Sequence, residues 1–304
     1  MVLASGIMSK TVAVIGLGTM GAPMANNLLE AGWNVVVHNR TRSREEALAA
    51  QGATRADSPA AAAAAGIVLV CVSDTPDVEA VLVGDDGVAD GIADGGLVID
   101  CSTISPAATQ RLAEVFAERG VGYVDAPVSG GSEGAIKGTL AVMCGGKDED
   151  VTRARSVLEV IGGSVTHVGP VGAGQVTKAV NQVVISGTYQ AVAEGVVLAR
   201  KAGVDPTRVV EAIAGGAAGS WVLTNRAGNM IQDSYPLGFR VRLHRKDLGI
   251  ALDTARNDGA VLPIAAYVAA LEDALIAQGH GDEDMSALAR IVRRTSGVGD
   301  GPMG

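Results

Sequence analysis

The sequence predicts an α/β fold in which a doubly wound, mostly parallel sheet is followed by an all-helical C-terminal domain. Two observations support this prediction. Short β-rich runs alternate with Ala/Leu-rich helical stretches from Thr11 to about Gly169, which is typical of a sheet with helices on both faces. After Gly169 the alternation stops, and helical periodicity continues to about Arg294.

The predicted strands are apolar along nearly their whole length, which indicates burial on both faces of the sheet. They cover residues 11–17, 34–39, 67–72, 97–100, 122–127 and 140–146. The helices between them are predicted at 22–31, 42–50, 59–65, 77–83, 106–119 and 148–161. Two of these helices have a clear start, because Ser58 and Ser105 each place a capping hydroxyl before a proline at the first helical position.

Length and composition give the domain boundaries and exclude several classes of protein. A chain of 304 residues is longer than one hydrophobic core usually supports. We predict a leader at 1–10 without fixed structure (with Met8 as an alternative start), a nucleotide-binding domain at 11–171, a helical domain at 172–296 and a disordered tail at 297–304. A net charge of −9 argues against binding nucleic acid. No membrane span or secretory signal is visible, and three cysteines without CxxC spacing predict free thiols, no metal site and a cytoplasmic location.

A glycine-rich turn follows the first predicted strand and opens the first helix. It consists of Gly16, Leu17, Gly18, Thr19, Met20 and Gly21, the GxGxxG spacing of dinucleotide-binding turns. Glycines there permit a tight turn, a close approach of the backbone to a pyrophosphate, and close packing of helix on strand. The first domain is therefore predicted to be Rossmann-like.

The end of the second predicted strand bears on the choice of cofactor. NAD sites usually place a carboxylate there, but this strand ends in Asn39, Arg40 and Thr41. A guanidinium and polar donors suit a 2′-phosphate, so NADP(H) is predicted to be preferred, with NAD(H) as the alternative. The competing interpretation is that Arg40 and Arg42 are solvated residues at a helix start.

Two further segments carry candidate chemistry. Lys178, Asn181 and Gln182 share one face of an apolar helix predicted from 175 to 202, where they either bond to one another or line a cleft. Ser129, Gly130 and Gly131 follow a strand and offer consecutive N–H groups to a carboxylate, unless they form an ordinary Gly–Gly turn. A charged run at 239–248 is interpreted as a solvated helix face, and its histidine, His244, has no evident partner and is given no catalytic role.

These segments together resemble the β-hydroxyacid dehydrogenase family. The resemblance is carried by IGLGTMGAPMANNL at 15–28, DAPVSGG at 125–131, GAGQVTKAVNQ at 172–182 and KDL at 246–248, and it covers about residues 11–290. It implies a Rossmann-like domain followed by a helical domain, a small carboxylate substrate, and pairing into homodimers or homotetramers through the helical part.

The resemblance also implies roles for individual residues. Lys178 would be the catalytic lysine and Asn181 would act beside it on the substrate. Ser129, Gly130 and Gly131 would bind the substrate carboxylate, with Gln182 and Trp221 as further substrate-binding residues. Val72, Ser73, Thr103 and Lys246 would contact the cofactor.

The expected reaction is hydride transfer between a nicotinamide cofactor and a small semialdehyde or oxo acid. The segments at 215–230 and 238–255 are most similar to the branch of the family that reduces tartronate semialdehyde, although Trp221 is bulkier than expected there. The alternatives are a 3-hydroxyisobutyrate dehydrogenase and a glyoxylate or succinic semialdehyde reductase. An imine reductase is disfavoured because such enzymes usually replace the lysine, and a non-catalytic NADP-binding regulator is the remote alternative.

Overall fold

The computed structural model describes residues 10–303, which divide into two compact units. The first unit ends at Lys178 and the second begins at Ala179. The sequence predicted a boundary at 171/172, whereas the units divide slightly later, inside a long helix. Residues 1–9 of the predicted leader lie outside the described residues.

The first unit contains the sheet. Its strands are β1 (Thr11–Ile15), β2 (Asn34–His38), β3 (Thr54–Arg55), β4 (Ile67–Val70), β5 (Leu97–Asp100), β6 (Gly122–Asp125), β7 (Val128–Ser129), β8 (Leu140–Gly145) and β9 (Gly162–Gly169). Its helices are α1 (Gly21–Glu30), α2 (Glu46–Ala50), α3 (Pro59–Ala63), α4 (Thr75–Val83), α5 (Val88–Gly91), α6 (Pro106–Ala117), α7 (Gly131–Lys137) and α8 (Asp148–Ile161), with a 3-10 turn at Arg42–Glu45. The doubly wound α/β prediction for this region is confirmed.

The strand order places several strand ends beside one another. From β3 the order runs β3-β2-β1-β4-β5-β6, with every neighbouring pair parallel. The strand β8 then runs antiparallel to β6 and β7, and β9 pairs in parallel with its other edge. Both Asp125 of β6 and Val128 of β7 keep one register against β8, opposite Gly145 and Val142. The segment from β6 to β7 therefore pairs with β8 in one continuous register.

Local sequence explains which elements were predicted and which were missed. Ser58 and Ser105 cap α3 and α6 as expected, accepting hydrogen bonds from Ala61 N (3.1 Å) and Ala108 N (3.5 Å). The missed elements are β3, β7, β9, α5 and α7. Four of them are seven residues or shorter, and β9 is a glycine-containing, largely exposed strand without the apolar run used to recognise the others. Its partner β8 supplies the hydrogen bonds that hold it.

The second unit is helical. The helix α9 (Ala173–Lys201) starts in the first unit and continues into the second, followed by α10 (Pro206–Ile213), α11 (Trp221–Gln232), α12 (Val241–Asp258), α13 (Pro263–Ala277) and α14 (Leu288–Thr295), with a 3-10 turn at Met285–Ala287. One apolar core joins these helices, with Ala193, Val196, Met230 and Leu248 among its members. The all-helical prediction for this region is confirmed.

The C-terminal tail differs from the prediction of disorder. Met303 is buried, and its backbone N–H donates to Ile231 O at 2.8 Å. Arg293 donates to the carbonyl oxygens of Gly299 and Gly301. A short, glycine-rich sequence gave no sign of these contacts because most of its hydrogen bonds use its backbone.

Residues 10–303 also show the state of the cysteines and the character of the helices with respect to a membrane. None of the three cysteines in this range forms a disulfide; Cys101 and Cys144 are buried and Cys71 is half-buried. Within the same range, no helix combines the length and the apolar character that crossing a lipid bilayer requires.

Candidate active site

The turn between β1 and α1 has the geometry of a dinucleotide-binding turn. Gly16 has φ +95°, which favours glycine, and a Cβ there would overlap the carbonyl oxygen of Cys71. A Cβ on Gly21 would overlap the carbonyl oxygen of Gly16, so helix and strand pack with no space for a side chain. At Gly18 a Cβ would meet nothing within 4 Å. The turn is therefore closed on its protein side and open at Gly18, where a pyrophosphate could approach the backbone.

Asn39 stabilises this turn from the end of β2. Its Oδ1 accepts a hydrogen bond from Leu17 N at 2.8 Å, and its Nδ2 donates to Thr41 O at 2.9 Å. Both ends of the amide are bonded inside the turn, so Asn39 positions Leu17. Its contact with a 2′-phosphate stays a prediction.

Arg40 and a buried carboxylate lie beside this position. The Arg40 side chain is 91% exposed, and its Nη1 lies 3.3 Å from Asp77 Oδ1. Glu45, which sequence reasoning overlooked, is fully buried and accepts from Asn39 N at 2.8 Å. Its charge is compensated by Arg42 (2.9 Å) and Arg55 (2.7 Å). A carboxylate thus exists near the end of β2, but its oxygens are already bonded.

The predicted cofactor contacts after β4 and β5 lie at neighbouring strand ends. Val72 N donates to Ser102 Oγ at 3.0 Å, which joins the two ends, and the Val72 side chain lies beside Gly16. Thr103 is half-buried and Ser73 is exposed. Because β4 and β5 are parallel neighbours, these residues share the carboxyl-terminal edge of the sheet, where ligands of such folds bind.

The segment predicted to bind a carboxylate, Ser129 to Gly131, begins at the last residue of β7, and we call it the carboxylate cradle. Ser129 pairs with Ala141 of β8 and is half-buried. Gly130 and Gly131 have φ +139° and +64°, conformations that L side chains rarely adopt. The chain therefore reverses sharply at the glycines, while the β8 partner holds Ser129 in place.

Lys178 lies next to this cradle. Its side chain is only 7% exposed, and Nζ donates to Val128 O at 2.8 Å, one residue before Ser129. The amine is thus directed to the end of β7 and away from bulk solvent. The Lys178 ammonium, bonded to Val128, and the glycine reversal that begins two residues after Val128 suit an anionic substrate with a reacting carbonyl.

Two buried residues that sequence reasoning missed hold the start of α9. The Asp125 carboxylate accepts from Gly172 N (2.8 Å) and Gln175 N (2.9 Å). Burial raises the pKa of this carboxyl, and the same backbone donors oppose the shift. Gln175 accepts from Ile104 N at 3.1 Å and donates to Ser102 O at 2.9 Å. Lys178 lies less than one helical turn further on, so these bonds determine where its side chain starts.

Asp100 supports the same strand ends. It is fully buried, accepts from Ser102 N at 2.9 Å, and receives the Tyr123 hydroxyl at 3.2 Å. Burial raises the pKa of Asp100 to about 6, with the hydrogen bonds from Ser102 acting in the opposite direction. Asp100 orients Ser102, which in turn contacts Val72 N and the Gln175 side chain.

In the second unit, four side chains form what we call the polar row: Asn181, Gln182, Asp247 and Lys246. Asn181 Nδ2 donates to Gln182 Oε1 at 2.7 Å, Gln182 Nε2 donates to Asp247 Oδ2 at 2.6 Å, and Lys246 Nζ lies 3.0 Å from Asp247 Oδ1. Gln182 is 0% exposed and its amide is used at both ends. The contact of Gln182 with substrate stays a prediction, and Asn181 and Lys246, the outer members of the row, are half-buried.

His244 lies beside the polar row and does have a partner. Its Nδ1 is 2.6 Å from Glu272 Oε1, and its Nε2 is 3.4 Å from Gln182 O. Both His244 and Glu272 are fully buried. Burial raises the pKa of Glu272, and the neighbouring His244 opposes the shift. The charged run at 239–248 is therefore not a purely solvated face: one side of α12 is buried and polar.

Trp221 occupies the first position of α11. Its ring is 51% exposed, and Arg226 Cζ lies 4.6 Å from the ring centroid. The bond from Leu223 N to the Ser220 hydroxyl (3.0 Å) caps the helix. Among the described residues, no group of three or more His, Cys, Asp or Glu side chains could hold a metal ion.

Two family models match the chain one after the other. Residues 11–169 match the family model for the NAD binding domain of 6-phosphogluconate dehydrogenase, and residues 172–292 match the model described as NAD-binding of NADP-dependent 3-hydroxyisobutyrate dehydrogenase. Together the two models span most of the chain.

Individual relatives match over nearly their full length. The chain is 38% identical over 278 residues to 2-hydroxy-3-oxopropionate reductase of Escherichia coli, covering 91% of this chain and 95% of the relative. It is 39% identical over 293 residues to 3-hydroxyisobutyrate dehydrogenase of Pseudomonas aeruginosa, covering 93% and 98%. The solved structure of Mycobacterium tuberculosis 3-hydroxyisobutyrate dehydrogenase with L-serine superposes with a TM-score of 0.83 at 33% identity, covering 94% and 100%. The chain belongs to the β-hydroxyacid dehydrogenase family and is an NAD(P)-dependent oxidoreductase acting on CH–OH groups.

Proposed function

We propose that this enzyme uses NADPH to reduce a small semialdehyde carboxylate to its β-hydroxyacid, with tartronate semialdehyde (2-hydroxy-3-oxopropionate) as substrate. The observation that carries the proposal is the placement of Lys178. Its amine is buried and bonded to Val128 O, and Val128 precedes the Gly130–Gly131 reversal by two residues. The E. coli relative named as a 2-hydroxy-3-oxopropionate reductase supports the choice of substrate.

The proposed roles follow from what each group can donate. The N–H groups of Ser129, Gly130 and Gly131, with the Ser129 hydroxyl, bind the substrate carboxylate. Lys178 hydrogen-bonds the carbonyl oxygen of the substrate. Asn181 follows Lys178 by three residues and so projects from the same side of α9, where it holds the substrate. Trp221 limits the size of the group attached to the substrate.

The chemistry requires a positive charge and a proton at one oxygen. When bound, the reduced nicotinamide supplies a hydride to the carbonyl carbon, which leaves the electron pair of the C=O bond on oxygen. The Lys178 ammonium stabilises this developing oxyanion and transfers a proton from Nζ to it, which completes the alcohol. Lysine amines are ordinarily protonated at neutral pH, which favours reduction. In the reverse direction the neutral amine accepts the proton from the hydroxyl.

Several residues are proposed to hold the cofactor. The open backbone at Gly18 fits a pyrophosphate, because the turn leaves space where any side chain would project. Val72, Ser73 and Thr103 lie at the strand ends beyond this turn, and Lys246 contacts the cofactor from α12. The exposed Arg40 guanidinium, beside a fully paired Glu45, favours a 2′-phosphate and hence NADP(H) over NAD(H).

A substrate panel tests the proposal. Purified enzyme is mixed with NADPH and, separately, with tartronate semialdehyde, methylmalonate semialdehyde, succinic semialdehyde or glyoxylate, and the loss of NADPH absorbance is followed. We expect the highest kcat/KM with tartronate semialdehyde. A higher value with methylmalonate semialdehyde would reassign the enzyme as a 3-hydroxyisobutyrate dehydrogenase, the activity named for the P. aeruginosa relative. A higher value with glyoxylate or succinic semialdehyde would indicate the remaining alternative.

We also propose that the chain associates with itself through its helical part. Supporting this, the second unit exposes large apolar side chains: Val180 and Val184 one turn apart on α9, and Ile264 and Tyr267 on α13. Exposed apolar side chains at helical spacing are typical of helices that pack against another chain. Light scattering of the purified protein should give a mass of two or four chains, and a mass of one chain would contradict the proposal.

A further inference from the structure

The side-chain amide of Gln182 can adopt only one of its two orientations, because its oxygen and nitrogen cannot exchange places. Its Nε2 lies 2.6 Å from Asp247 Oδ2, and an ionised carboxylate can only accept hydrogen bonds. The nitrogen must therefore face Asp247, and the oxygen must face the other way. Because Gln182 is completely buried, both ends of its amide depend on these partners and not on bulk solvent.

The direction of Gln182 then determines the direction of Asn181. Gln182 Oε1 lies 2.7 Å from Asn181 Nδ2, and an amide oxygen can only accept. If the Asn181 amide were turned over, two carbonyl oxygens would face each other across this short distance. Asn181 thus keeps its nitrogen toward Gln182, and its Oδ1, on the other arm of the same planar amide, is directed away from Gln182.

Neighbouring groups hold Asp247 and Gln182 in place. Lys246 Nζ lies 3.0 Å from the other oxygen of Asp247, so both oxygens of this carboxylate have a partner. His244, one turn earlier on α12 and itself paired with Glu272, lies against the backbone carbonyl of Gln182. The helices α9 and α12 are therefore in contact at Gln182 through both its backbone and its side chain.

We propose that Asp247, acting through Gln182, sets the Asn181 amide so that its carbonyl oxygen faces the substrate, and that the substrate accordingly carries a hydroxyl group that donates to this oxygen. Gln182 and Asp247 are positioning residues, and Asn181 is the residue that touches substrate. This inference rests on the proposed function, because it takes the role of Asn181 from there. It adds a substrate class: hydroxylated oxo acids in preference to the same acids without the hydroxyl.

The test compares two oxo acids that differ in one hydroxyl, 2-hydroxy-3-oxopropionate and 3-oxopropionate. For the wild-type enzyme we expect kcat/KM to be about 5- to 10-fold higher with the hydroxylated acid, the usual contribution of one hydrogen bond between uncharged groups. In Gln182→Met, a side chain of similar length that makes neither bond, this ratio should fall to about 1, with most of the change in KM for the hydroxylated acid.

A second variant keeps the hydrogen-bond acceptor for Asn181 and removes the donor to Asp247. Gln182→Glu retains an oxygen that accepts from Asn181 Nδ2 but places two carboxylates face to face near Lys246, His244 and Glu272. Two such carboxylates share one proton at low pH and repel each other once both are ionised. The preference for the hydroxylated acid should therefore persist at acidic pH and be lost at alkaline pH.

The matched control is Gln190→Met, because Gln190 is a buried glutamine on the same helix that donates to Glu194 at 2.7 Å. It should leave the ratio unchanged, and thermal unfolding should show that all variants are folded. Equal losses with both acids in Gln182→Met, or an unchanged ratio, would overturn the inference while leaving the proposed function standing. If the wild-type enzyme reduces neither acid, the proposed function itself fails.

Discussion

The glycine turn of the first unit and the polar row of the second unit are built in opposite ways. At Gly16, Gly18 and Gly21, protein atoms exclude side chains from two positions and leave one open, so the backbone itself is the surface proposed to bind the cofactor. In the polar row, from Asn181 to Lys246, four side chains fix one another through hydrogen bonds and one ion pair. The geometry of the glycine turn depends on the steric exclusion of side chains. The geometry of the polar row depends on which atom is the hydrogen-bond donor and which is the acceptor.

This difference determines how each region responds to substitution. In the glycine turn, a substitution that adds side-chain atoms should lower the stability of the protein or its affinity for cofactor. In the polar row, a substitution that exchanges a hydrogen-bond donor for an acceptor should change substrate selectivity while the fold stays intact. Lys178 belongs to both classes, because a side-chain amine is held by a backbone carbonyl, that of Val128.

The largest expected effect is at Lys178. Lys178→Ala should lower turnover by about 10²–10⁴, because no other group would supply both the charge and the proton at the substrate oxygen. The affinity for NADPH, measured by fluorescence titration, should change little. This separation would show that the turn binds cofactor without the lysine.

The matched control for this experiment is Lys201→Ala, which removes an exposed lysine from the far end of the same helix. It should have wild-type turnover. Near-normal turnover in Lys178→Ala would remove the basis for the proposed mechanism. A parallel loss of NADPH affinity would instead show that the lysine is part of the cofactor site.

A pH-dependent stability difference is expected from Asp100, whose oxygens accept a backbone N–H and a tyrosine hydroxyl. Its pKa is about 6 in the folded protein against 3.8 ordinarily, so the folded state holds the proton more tightly. The stabilisation is complete below about pH 4 and is lost as the pH rises through 6. Relative to Asp100→Asn, the wild-type free energy of unfolding should therefore fall over this range by on the order of 3 kcal/mol.

Urea unfolding at several pH values measures this difference. Asp125 is retained in both proteins, so its contribution largely cancels. Asp90→Asn, at an exposed position in α5, is the control and should follow the wild type at every pH. A difference for Asp100→Asn that stays constant with pH would mean that the carboxyl does not titrate in this range.

Two glycine substitutions separate volume from binding within the same turn. Gly21→Ala forces a methyl group onto the Gly16 carbonyl and should cost about 1–3 kcal/mol of stability. Gly18→Ala has open space and should leave stability nearly unchanged, but weaken NADPH binding on the order of 10-fold, or about 1.4 kcal/mol. Thermal unfolding and cofactor titration of both variants give the two quantities. The comparison fails if Gly18→Ala binds NADPH as tightly as the wild type.

The same contrast explains what could be predicted from the sequence. The alternation of apolar runs and helices, and the spacing of Gly16, Gly18 and Gly21, are local patterns, so the fold class and the turn were accessible. The pairing of Gln182 with Asp247 joins residues far apart in the chain, and nothing in either segment identifies the partner. For the same reason the buried Glu45 was missed. Asp125 ends an apolar strand, and that unusual position was the available indication of its structural role.

The smallest expected effect concerns Arg40, where the first unit uses a side chain for selectivity. Arg40→Asp should lower the preference for NADPH over NADH by about 10-fold in kcat/KM, because a carboxylate repels a 2′-phosphate and accepts from a ribose hydroxyl. Its contact with Asp77 is exposed and adds little to stability, so the melting temperature should be unchanged. Arg208→Asp, at an exposed arginine that lies 3.7 Å from Asp205 in the second unit, controls for the change of charge. An unchanged cofactor ratio in Arg40→Asp would show that cofactor choice depends on the backbone turn, and the contrast between the two units would then hold without exception.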